Sequence, residues 1–554
     1  MKKKLFYIIF LFSIALALES SIPYFYAAKK CKPDHVFLGQ VISTFDHNMY
    51  FSFIRQARAG HFVFFNRLTY MEHRAAFINL EFWLVGSVQR ITGLDENGLY
   101  TLWRLAGILM LVTGFVLLAD LVLDSLRKVL CATALFLFSG GIGFIHALLN
   151  HLGLRAAARG WSIFGYSATS SLALDTSSCI MPFNQAMTNP HFTLPTGLAL
   201  LGYYFFVKGY QREQLRNYLY SGCLFLAIGL IRPYDILPAL VVIPLFTIYL
   251  HFRPENRQQP LKSLLTRLSP VLFILPALMY DIWLFHDHPV FRYWSSQGDN
   301  AFMIPSFLFH YLNFGVIGLL ALARLALIRK FPLKKTEVFL VILFSVTLFI
   351  NHLGRYTNLT PWSFQVGAYL AAPLVLLACS PDYNELAISK NARRATLVTV
   401  AALVAVSNLA VLIFRCTMLS DNSNQTHMYA LRDEYNSWMW LRTHTQPGEL
   451  LLASTYTSSR IAKYTDLRVV AGHPFVTPEY EATTKLAMQV TFDSVIAPAS
   501  REILNRLKVN YIFVGPTEKT FIHTKLPPSA FITPVFSNNS VDIYRINLKS
   551  GTVE

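Results

Sequence analysis

Eleven apolar runs, each about long enough to cross a bilayer, constrain the fold of this chain more than any other feature of its sequence. A helix needs about 20 largely apolar residues to cross the hydrocarbon core. The runs lie at 5–26, 101–123, 129–149, 192–208, 217–231, 235–251, 269–286, 306–328, 336–352, 364–380 and 396–415. With 54% hydrophobic and 14% charged residues, the chain is too apolar for an ordinary soluble protein. The sequence therefore predicts a mainly α fold, a polytopic transmembrane helical bundle with about 11 spans.

Basic residues cluster in alternate gaps between these runs, and this pattern orients the chain in its membrane. The clusters lie at 2–4, 127–128, 208–216, 253–267, 329–335 and 390–394. All of them fall on one side of the bilayer, and the positive-inside rule makes that side cytoplasmic. The N-terminus is then inside and the C-terminus outside. We interpret the net charge of +17 as a sign of this orientation and not of nucleic-acid binding.

The outer gaps carry most of the residues that lie between the runs. They are a large first loop at 27–100, a second at 150–191, short loops at 287–305 and 353–363, and the tail from 416 onward. In the tail, "ELLLAS", "LRVVAG", "VNYIFVGP" and "VDIYRINL" are typical of strands, and helical patterns occur at 480–493 and 498–508. We predict a transmembrane core at 1–415 and a soluble extracytoplasmic α/β domain at 416–554.

Two amphipathic helices are predicted in the first loop. Apolar side chains recur with helical spacing in "DHNMYFSFIRQARAG" and in "AAFINLEFWLVGSVQRITG", and a glycine closes each pattern, Gly60 and Gly93. Both helices are expected to lie at the membrane interface. Asp46 stands at the start of the first one, where an acidic residue also serves simply as a helix cap or as a partner of the helix dipole.

The stretch around Asp46 resembles the first extracytoplasmic loop of the GT-C glycosyltransferases, polytopic enzymes that take sugar from a polyprenyl-phosphate or polyprenyl-pyrophosphate carrier. In many of them an Asp soon after the first span precedes a Tyr-containing amphipathic helix, which here reads "FDHNMYFSFIRQARAGHF". The resemblance, to bacterial members with a periplasmic tail, extends to "TNPHFTLPTGLALLGYYF", "GLIRPYDILPAL" and "WLRTHTQPGELLLASTYTSSRIAKYTDLRVVAGHP". The WWD-type signature of oligosaccharyltransferases is absent. The Asp-Glu pair of protein mannosyltransferases is also absent, because His47 follows Asp46.

The chemistry that the resemblance implies needs a base and a phosphate-binding group. The base takes the proton of an acceptor hydroxyl, and cations or dipoles hold the leaving phosphate. Asp46 is the candidate base, since it lies soon after the first span. Glu72, in "YMEHR", is the reserve carboxylate, and its alternative interpretation is a solvated loop acid. The resemblance is compatible with a divalent metal, although the sequence does not require one.

Three further residues are candidates for binding the donor phosphate, because basic residues are sparse on the outer face: His191, Arg232 and Arg355. The two arginines stand at the ends of runs, where such side chains also commonly snorkel to the interface. His191 opens the fourth run, and its alternative role is that of a polar helix-start residue. Asp235 is expected to pair with Arg232.

Nucleotide sugars are cytosolic, so an outward-facing transferase requires a lipid-carried donor. The sequence thus predicts a membrane glycosyltransferase that moves sugar from a polyprenyl-phosphate carrier to a glycan, lipid or protein acceptor. We expect it in a bacterial inner membrane, with its active face toward the periplasm. Three alternatives stay open: a lipid-linked-glycan flippase or transporter, a surface-polysaccharide polymerase or ligase, and a catalytically inactive relative.

Overall fold

The structure, a computed structural model, describes residues 2–42, 44–141, 144–145, 152–153, 181–253, 261–296, 307–356, 363–381, 390–422, 427–492, 497–520 and 529–547. The chain forms two compact units. The helical unit contains Met1–Tyr26, Tyr100–Asp281 and Asp299–Met418, and the sheet unit contains Ala27–Leu99, Ile282–Gly298 and Leu419–Glu554. Each unit is therefore built from segments that lie far apart in the sequence.

Helices make up most of the described chain. They are α1 (Lys2–Lys30), α2 (Thr44–Arg58), α3 (Leu80–Thr92), α4 (Glu96–Val122), α5 (Leu126–Phe138), α6 (Pro182–Thr188), α7 (Pro190–Arg212), α8 (Leu215–Gly229), α9 (Leu237–His251), α10 (Leu261–Ile282), α11 (Arg292–Ser296), α12 (Phe307–Ala326), α13 (Lys335–Tyr356), α14 (Ala371–Cys379), α15 (Lys390–Leu419), α16 (Arg432–His444), α17 (Thr455–Tyr464), α18 (Tyr480–Phe492) and α19 (Pro498–Leu507). Short 3-10 helices precede α9 (Pro233–Ile236) and α14 (Ser363–Tyr369).

Within the described residues, six helical segments are long and apolar enough to cross a membrane. They are Lys3–Lys30, Glu96–Val122, Pro233–His251, Leu261–Asp287, Lys335–Leu353 and Val398–Leu419. Each overlaps a run that the sequence predicts as a span. Two shorter apolar helices, Phe314–Ala326 and Gln365–Cys379, overlap two further runs. The prediction of a mainly helical, multi-pass membrane protein is confirmed, whereas the count of about 11 spans and the orientation in the bilayer stay predictions.

The sheet unit contains all the strands that the structure describes. They are β1 (His35–Phe37), β2 (Val63–Phe64), β3 (Phe77–Ile78), β4 (Tyr429–Leu431), β5 (Leu450–Leu452), β6 (Arg468–Val469), β7 (Tyr511–Val514), β8 (Ile532–Ser537) and β9 (Asp542–Ile546). A five-stranded sheet has the order β6-β5-β7-β9-β8. β6, β5 and β7 run parallel, and β9 and β8 are added antiparallel.

The composition of the strands fits their places in this sheet. The central strand β7 is an unbroken apolar run and is buried throughout, as expected for a strand covered on both faces. β8 lies at the edge and contains Pro534, a residue that edge strands tolerate because its missing N–H need not bond a neighbour. The four strand segments predicted from the tail are all present, and β8 was not predicted. The domain boundary at 416 stays a prediction.

Segments of the first loop and of the tail pair directly within the sheet unit. β1 is antiparallel to β4, with Val36 opposite Ala430. The buried Lys463 donates from Nζ to the Leu38 carbonyl oxygen at 3.1 Å, and the Val469 N–H donates to the Arg67 carbonyl oxygen at 2.9 Å. The first loop therefore forms part of the same folded body as the tail.

The two predicted amphipathic helices have different surroundings. Gly60 and Gly93 follow α2 and α3 with φ of 101° and 68°, a region that favours glycine. The apolar residues of α2, such as Phe53 and Ile54, are 0% exposed, and Phe53 stacks on Phe82 of α3. The apolar face of α2 is therefore covered by α3 and the tail, whereas the location of α2 at the membrane interface stays a prediction.

Helix α3 keeps an exposed apolar stripe on its other side. Leu84, Val88 and Ile91 are 48%, 36% and 85% exposed and share one face by their helical spacing. Its buried side includes Phe82 and Gly86. A Cβ at Gly86 would meet the Ile54 carbonyl, so this glycine permits the close approach of α2 and α3. For α3 the interfacial location stays a prediction.

Candidate functional site

A carboxylate–histidine pair stands at the start of α2 in the sheet unit. Asp46 lies in the first turn of α2, where its negative charge is favoured by the helix dipole. His473 Nε2 lies 3.2 Å from Asp46 Oδ1. The Asp46 side chain is 41% exposed, whereas that of His473 is 2% exposed. The pair thus joins a buried ring to a carboxylate that remains accessible.

The surrounding backbone fixes the orientation and the tautomer of the His473 ring. The Phe475 N–H donates to His473 Nδ1 at 3.1 Å. In the neutral ring the proton is therefore on Nε2, and this N–H donates to the Asp46 carboxylate. The Thr477 hydroxyl accepts from the His473 N–H and donates to the Leu68 carbonyl oxygen at 2.7 Å. The loop that carries His473 is consequently tied down at both its side chain and its backbone.

The pair lies at the carboxyl ends of the parallel strands. β6 ends at Val469, and three further residues lead to His473. β5 ends at Leu452 and continues into Ser454, which caps α17 by accepting from the Thr457 N–H. Open parallel sheets bind their ligands at this edge, where loops and helix N-termini converge. The pair therefore lies at the edge where such sheets commonly bind ligands.

Aromatic rings flank the pair. The centroid of the Phe45 ring lies 5.9 Å from that of His473 and 5.6 Å from that of Tyr456. The Phe475 ring lies 5.8 Å from His473. Phe45, Tyr456 and Phe475 are all partly exposed. Apolar ring faces beside a carboxylate suit a sugar, because its C–H surface packs on aromatic rings while its hydroxyls bind polar groups.

Arg55, in the last turn of α2, has a structural role together with Arg67. Arg55 is 7% exposed; its Nη2 lies 2.8 Å from Asp466 Oδ2, and its Nε donates to the Thr465 carbonyl oxygen. Arg67 also pairs with Asp466, at 2.8 Å. Burial raises the pKa of Asp466, but the two arginines outweigh this effect and hold the pKa below its usual range. This cluster joins α2 to the tail, and its carboxylate balances the charge of Arg55.

The reserve carboxylate, Glu72, lies on the surface of the sheet unit. Its Oε1 is 3.4 Å from Lys508 Nζ, and both side chains are 74% exposed. Exposed pairs of this kind contribute about 0–1 kcal/mol to stability. The structure does not bring Glu72 into contact with the Asp46–His473 pair, and its surroundings favour the interpretation as a solvated loop acid.

Arg232, in the helical unit, is enclosed by protein groups. It is 0% exposed, and its Nη1 lies 3.2 Å from Asp235 Oδ2. Nη2 donates to Gln365 Oε1 at 3.0 Å, and the guanidinium carbon lies 4.1 Å from the centre of the Phe192 ring. The pairing with Asp235 expected from the sequence is present. A phosphate that binds Arg232 would have to compete with this carboxylate.

The remaining two candidates are less fully defined. His191 is 6% exposed at the start of α7, next to Phe192, which covers Arg232. Its backbone N–H donates to Oδ1 of the N-cap residue Asn189. Arg355 lies in the last turn of α13, and its side chain falls outside the described part of the chain. Of the three predicted phosphate-binding residues, His191 and Arg232 have described side chains, and these two lie in one region of the helical unit.

A divalent metal has no ligand set among the described residues. No group of three or more His, Cys, Asp or Glu side chains within them could hold a metal ion. The Asp46–His473 pair offers one carboxylate and one ring whose nitrogens already have partners. The described residues therefore do not fit a metal centre.

Solved structures share this fold, although no protein-family model and no curated protein matches the sequence. The oligosaccharyltransferase of Archaeoglobus fulgidus in its apo form matches with a TM-score of 0.51 at 13% identity, over 92% of this chain and 70% of that chain. ArnT of Cupriavidus metallidurans bound to undecaprenyl phosphate matches with a TM-score of 0.50 at 12% identity, over 96% of this chain and 98% of that chain. Both are GT-C membrane glycosyltransferases. The resemblance predicted from the sequence is confirmed at the level of the fold.

Sequence reasoning did not identify His473. The residue stands in "VVAGHPF", directly after a predicted strand, and the only available signal was that a polar residue at the carboxyl end of a strand often belongs to a site. Its partner Asp46 is 427 positions away. No local pattern joins two residues at such a separation.

Proposed function

We propose that this protein is a membrane glycosyltransferase that transfers a sugar from a polyprenyl-phosphate carrier to an acceptor hydroxyl on the extracytoplasmic face. The observation that carries the proposal is an accessible carboxylate, Asp46, held by a buried histidine at the carboxyl edge of a parallel sheet, in a chain with the GT-C fold. The carrier class is supported by the undecaprenyl phosphate bound in the ArnT structure.

Asp46 acts as the general base in this proposal. Its carboxylate takes the proton of the acceptor hydroxyl while the hydroxyl oxygen attacks the anomeric carbon of the donor. The bond between that carbon and the phosphate oxygen breaks, and the electron pair leaves with the lipid phosphate. His473 donates from Nε2 to one carboxylate oxygen and so orients the base. Nothing in this step is routed through a metal.

The donor phosphate is assigned to basic groups of the outer face. Arg232 and Arg355 remain the proposed phosphate ligands, with His191 as a further polar group. The strongest argument against Arg232 is its ion pair with Asp235, because a buried guanidinium already matched by a carboxylate attracts a second anion less strongly. A double variant that replaces both Arg232 and Asp235 distinguishes a phosphate-binding role of Arg232 from a purely structural one.

The location follows from the same proposal. Positive clusters predict a cytoplasmic N-terminus, so Asp46 and the tail face the outside. A bacterial inner membrane, with this face toward the periplasm, is the setting in which undecaprenyl-phosphate carriers would meet an external acceptor. A fusion reporter after Glu554 that works only outside the cytoplasm should be active.

The test is a transfer assay with the full-length protein in sealed proteoliposomes. Undecaprenyl-phosphate-linked sugar is supplied from outside, and release of free undecaprenyl phosphate is followed by mass spectrometry with a panel of glycan and lipid acceptors. We expect acceptor-dependent release that is lost in Asp46→Asn. Movement of intact donor across the bilayer without cleavage would instead identify a flippase. Elongation of a glycan chain on its carrier would identify a polymerase.

A further inference from the structure

Asp281, near the end of α10, is a buried acidic residue that has no partner among the described residues. It is 7% exposed; its Oδ2 has no hydrogen-bond donor in the described chain, and neither of its oxygens forms an ion pair there. Eight acidic residues of the described chain are buried, and each of the other seven takes part in a hydrogen bond, an ion pair or an electrostatic contact: Glu81, Glu96, Asp235, Glu337, Glu434, Glu518 and Asp542. Burying a carboxyl group without a partner is costly, and inside a membrane protein such a group commonly belongs to a binding site.

The helix that carries Asp281 runs in the same direction as α8 and packs against it. A Cβ at Gly222 would lie 2.8 Å from the Phe273 ring, and a Cβ at Gly229 would lie 2.6 Å from the Ala277 Cβ. Later residues of α8 thus contact later residues of α10. Small residues permit this close approach, and the ends of the two helices lie side by side.

Asp281 lies at the same end of this helix pair as Arg232. It shares the buried face of α10 with Ala277, one helical turn earlier. In the neighbouring helix, Arg232 lies one turn beyond the contact residue Gly229 and its N–H still makes a helical hydrogen bond. Both side chains therefore belong to the end of the bundle where we propose that the donor phosphate binds.

Arg232 does not supply the missing partner of Asp281. Its guanidinium forms an ion pair with Asp235 and donates to Gln365, and it forms no ion pair with Asp281. Directly after α10 the chain continues as a π-helix, Trp283–Asp287, a rare form that frequently occurs at functional sites. This end of the bundle thus contains one matched ion pair and one carboxyl group that can still accept hydrogen bonds.

The chemistry of Asp281 indicates what its ligand supplies. An ionised carboxylate only accepts hydrogen bonds, and those donated by hydroxyl groups are charge-assisted and short. The donor of the proposed reaction brings hydroxyl groups to this place, because its sugar is bonded directly to the phosphate assigned to Arg232. We propose that Asp281 accepts hydrogen bonds from hydroxyl groups of the donor sugar and so selects the sugar that the carrier delivers. The inference rests on the proposed function, to which it adds a specificity-determining residue.

The test compares carriers with and without a sugar by native mass spectrometry of the full-length protein in detergent. The probes are undecaprenyl phosphate that bears glucose, galactose or mannose, and sugar-free undecaprenyl phosphate. The ratio of the affinities for the best sugar-bearing probe and for the sugar-free probe is the sugar preference. We expect Asp281→Asn to lower this preference about tenfold or more, the usual effect of losing a hydrogen bond to a charged group, and to leave the affinity for the sugar-free carrier unchanged.

The matched control is Asp287→Asn, which removes the same charge from a side chain that is 59% exposed on the same segment. It should leave the sugar preference unchanged. Because Asp281 has no described partner to lose, Asp281→Asn should not lower the unfolding temperature. Where this variant fails to fold, Asp281→Leu replaces it, since apolar residues fill buried polar positions without penalty in many proteins.

Two results would overturn the proposal: an unchanged sugar preference in a folded Asp281 variant, or a wild type that binds no sugar-bearing probe more tightly than the sugar-free carrier. A transfer assay distinguishes this failure from that of the proposed function. Transfer by the wild type, with a sugar preference that does not depend on Asp281, would refute this inference alone. A sugar preference that depends on Asp281, in a protein that transfers no sugar, would refute the transferase function and leave the binding role of Asp281 intact.

Discussion

Asp46 and Arg232 were both predicted as functional for the same reason, a charged side chain near the outer end of a membrane span, yet their surroundings differ. Arg232 is 0% exposed and is matched by Asp235, Gln365 and an aromatic ring. Asp46 is 41% exposed at its side chain and is oriented by one buried histidine. The first arrangement is a completed internal ion pair, and the second is an oriented group with an accessible surface. The difference predicts that Asp46 can meet a substrate directly, whereas a phosphate that binds Arg232 must compete with the ion pair to Asp235.

The largest expected effect comes from Asp46→Asn. Asn retains the shape, caps a helix about as well as Asp and still accepts a hydrogen bond from His473 Nε2, but it cannot take a proton. Transfer should fall about 100- to 10,000-fold, while the unfolding temperature and membrane insertion stay unchanged. Initial rates in nanodiscs and thermal unfolding in detergent check this together. A well-folded variant with near-normal transfer would return Asp46 to the role of helix cap.

The second largest effect is expected at Arg232, and it distinguishes a structural role of this residue from a role in binding the donor phosphate. Arg232→Met leaves Asp235 buried without its partner, which should cost about 3–5 kcal/mol of unfolding free energy. The double variant with Asp235→Leu should recover most of that loss, since a well-packed apolar pair often replaces a buried ion pair without penalty. Transfer rates in the double variant then decide. Recovery of both stability and transfer shows a structural pair, and recovery of stability alone shows a phosphate ligand.

A third, smaller effect is expected from His473 as a positioning residue. His473→Phe removes the donor to Asp46 and should lower kcat about 10- to 100-fold, the usual consequence of losing an orienting partner, with KM little changed. His473→Gln supplies an amide donor and should restore part of the rate. A loss of stability that fully accounts for the lower rate, or equal rates for the Phe and Gln variants, would contradict a positioning role.

The free energy of unfolding should depend on pH, because Lys463 is buried where α17 packs on α2. This side chain, on α17, lies 5.1 Å from the ring of Phe51 in α2, and burial lowers the pKa of Lys463 to about 7. The folded state therefore binds fewer protons than the unfolded state between about pH 7 and 10.5, and stability should rise by about 1.4 kcal/mol per pH unit across that window. Lys463→Met should remove this dependence. Urea unfolding at pH 7, 8 and 9 measures the unfolding free energy of the wild type and of Lys463→Met. An equal change of this free energy with pH in both proteins would contradict the prediction.

Glu72→Gln should have the smallest effect. Its exposed pair with Lys508 contributes little to stability, so the unfolding free energy should change by less than about 0.5 kcal/mol. Transfer should stay at the wild-type rate if Asp46 is the base. A large loss of transfer in Glu72→Gln, together with an active Asp46→Asn variant, would reverse the assignment of the two carboxylates.

The parts of this structure that local chemistry dictates were predictable from the sequence. Apolar runs of sufficient length gave the membrane helices, and the need for positive φ at Gly60 and Gly93 gave the ends of α2 and α3. The pairing of Arg232 with Asp235 spans three residues and was equally accessible. The surroundings of α2 could not be predicted from the sequence, because helical spacing identifies an apolar face but not the residues that cover it. The edge strand β8 was missed because its Pro534 and polar residues weaken the strand pattern.

Contacts between residues that lie far apart in the sequence could not be predicted either, and the candidate site depends on them. Asp46 was predicted from its position after the first span, but His473 and the aromatic side chain of Tyr456 come from the tail. Their proximity to Asp46 results from the pairing of β1 with β4 and from the packing of α17 on α2. A single sequence contains no signal that specifies such pairings between distant segments.

The joining of the first loop with the tail also sets an order of assembly for the protein. Residues 27–99 leave the ribosome early, whereas β4 and the loop that carries His473 are among the last segments to be made. Because synthesis proceeds at about 5–20 residues per second, roughly 20 s or more must pass between the emergence of Asp46 and that of its histidine. During this time the apolar face of α2 is covered by α3 but lacks the part of its cover that the tail provides. A newly made chain therefore has no oriented carboxylate until the segment with His473 has been made and has folded onto the first loop. A chain truncated before residue 473 should insert in the membrane but should not transfer sugar.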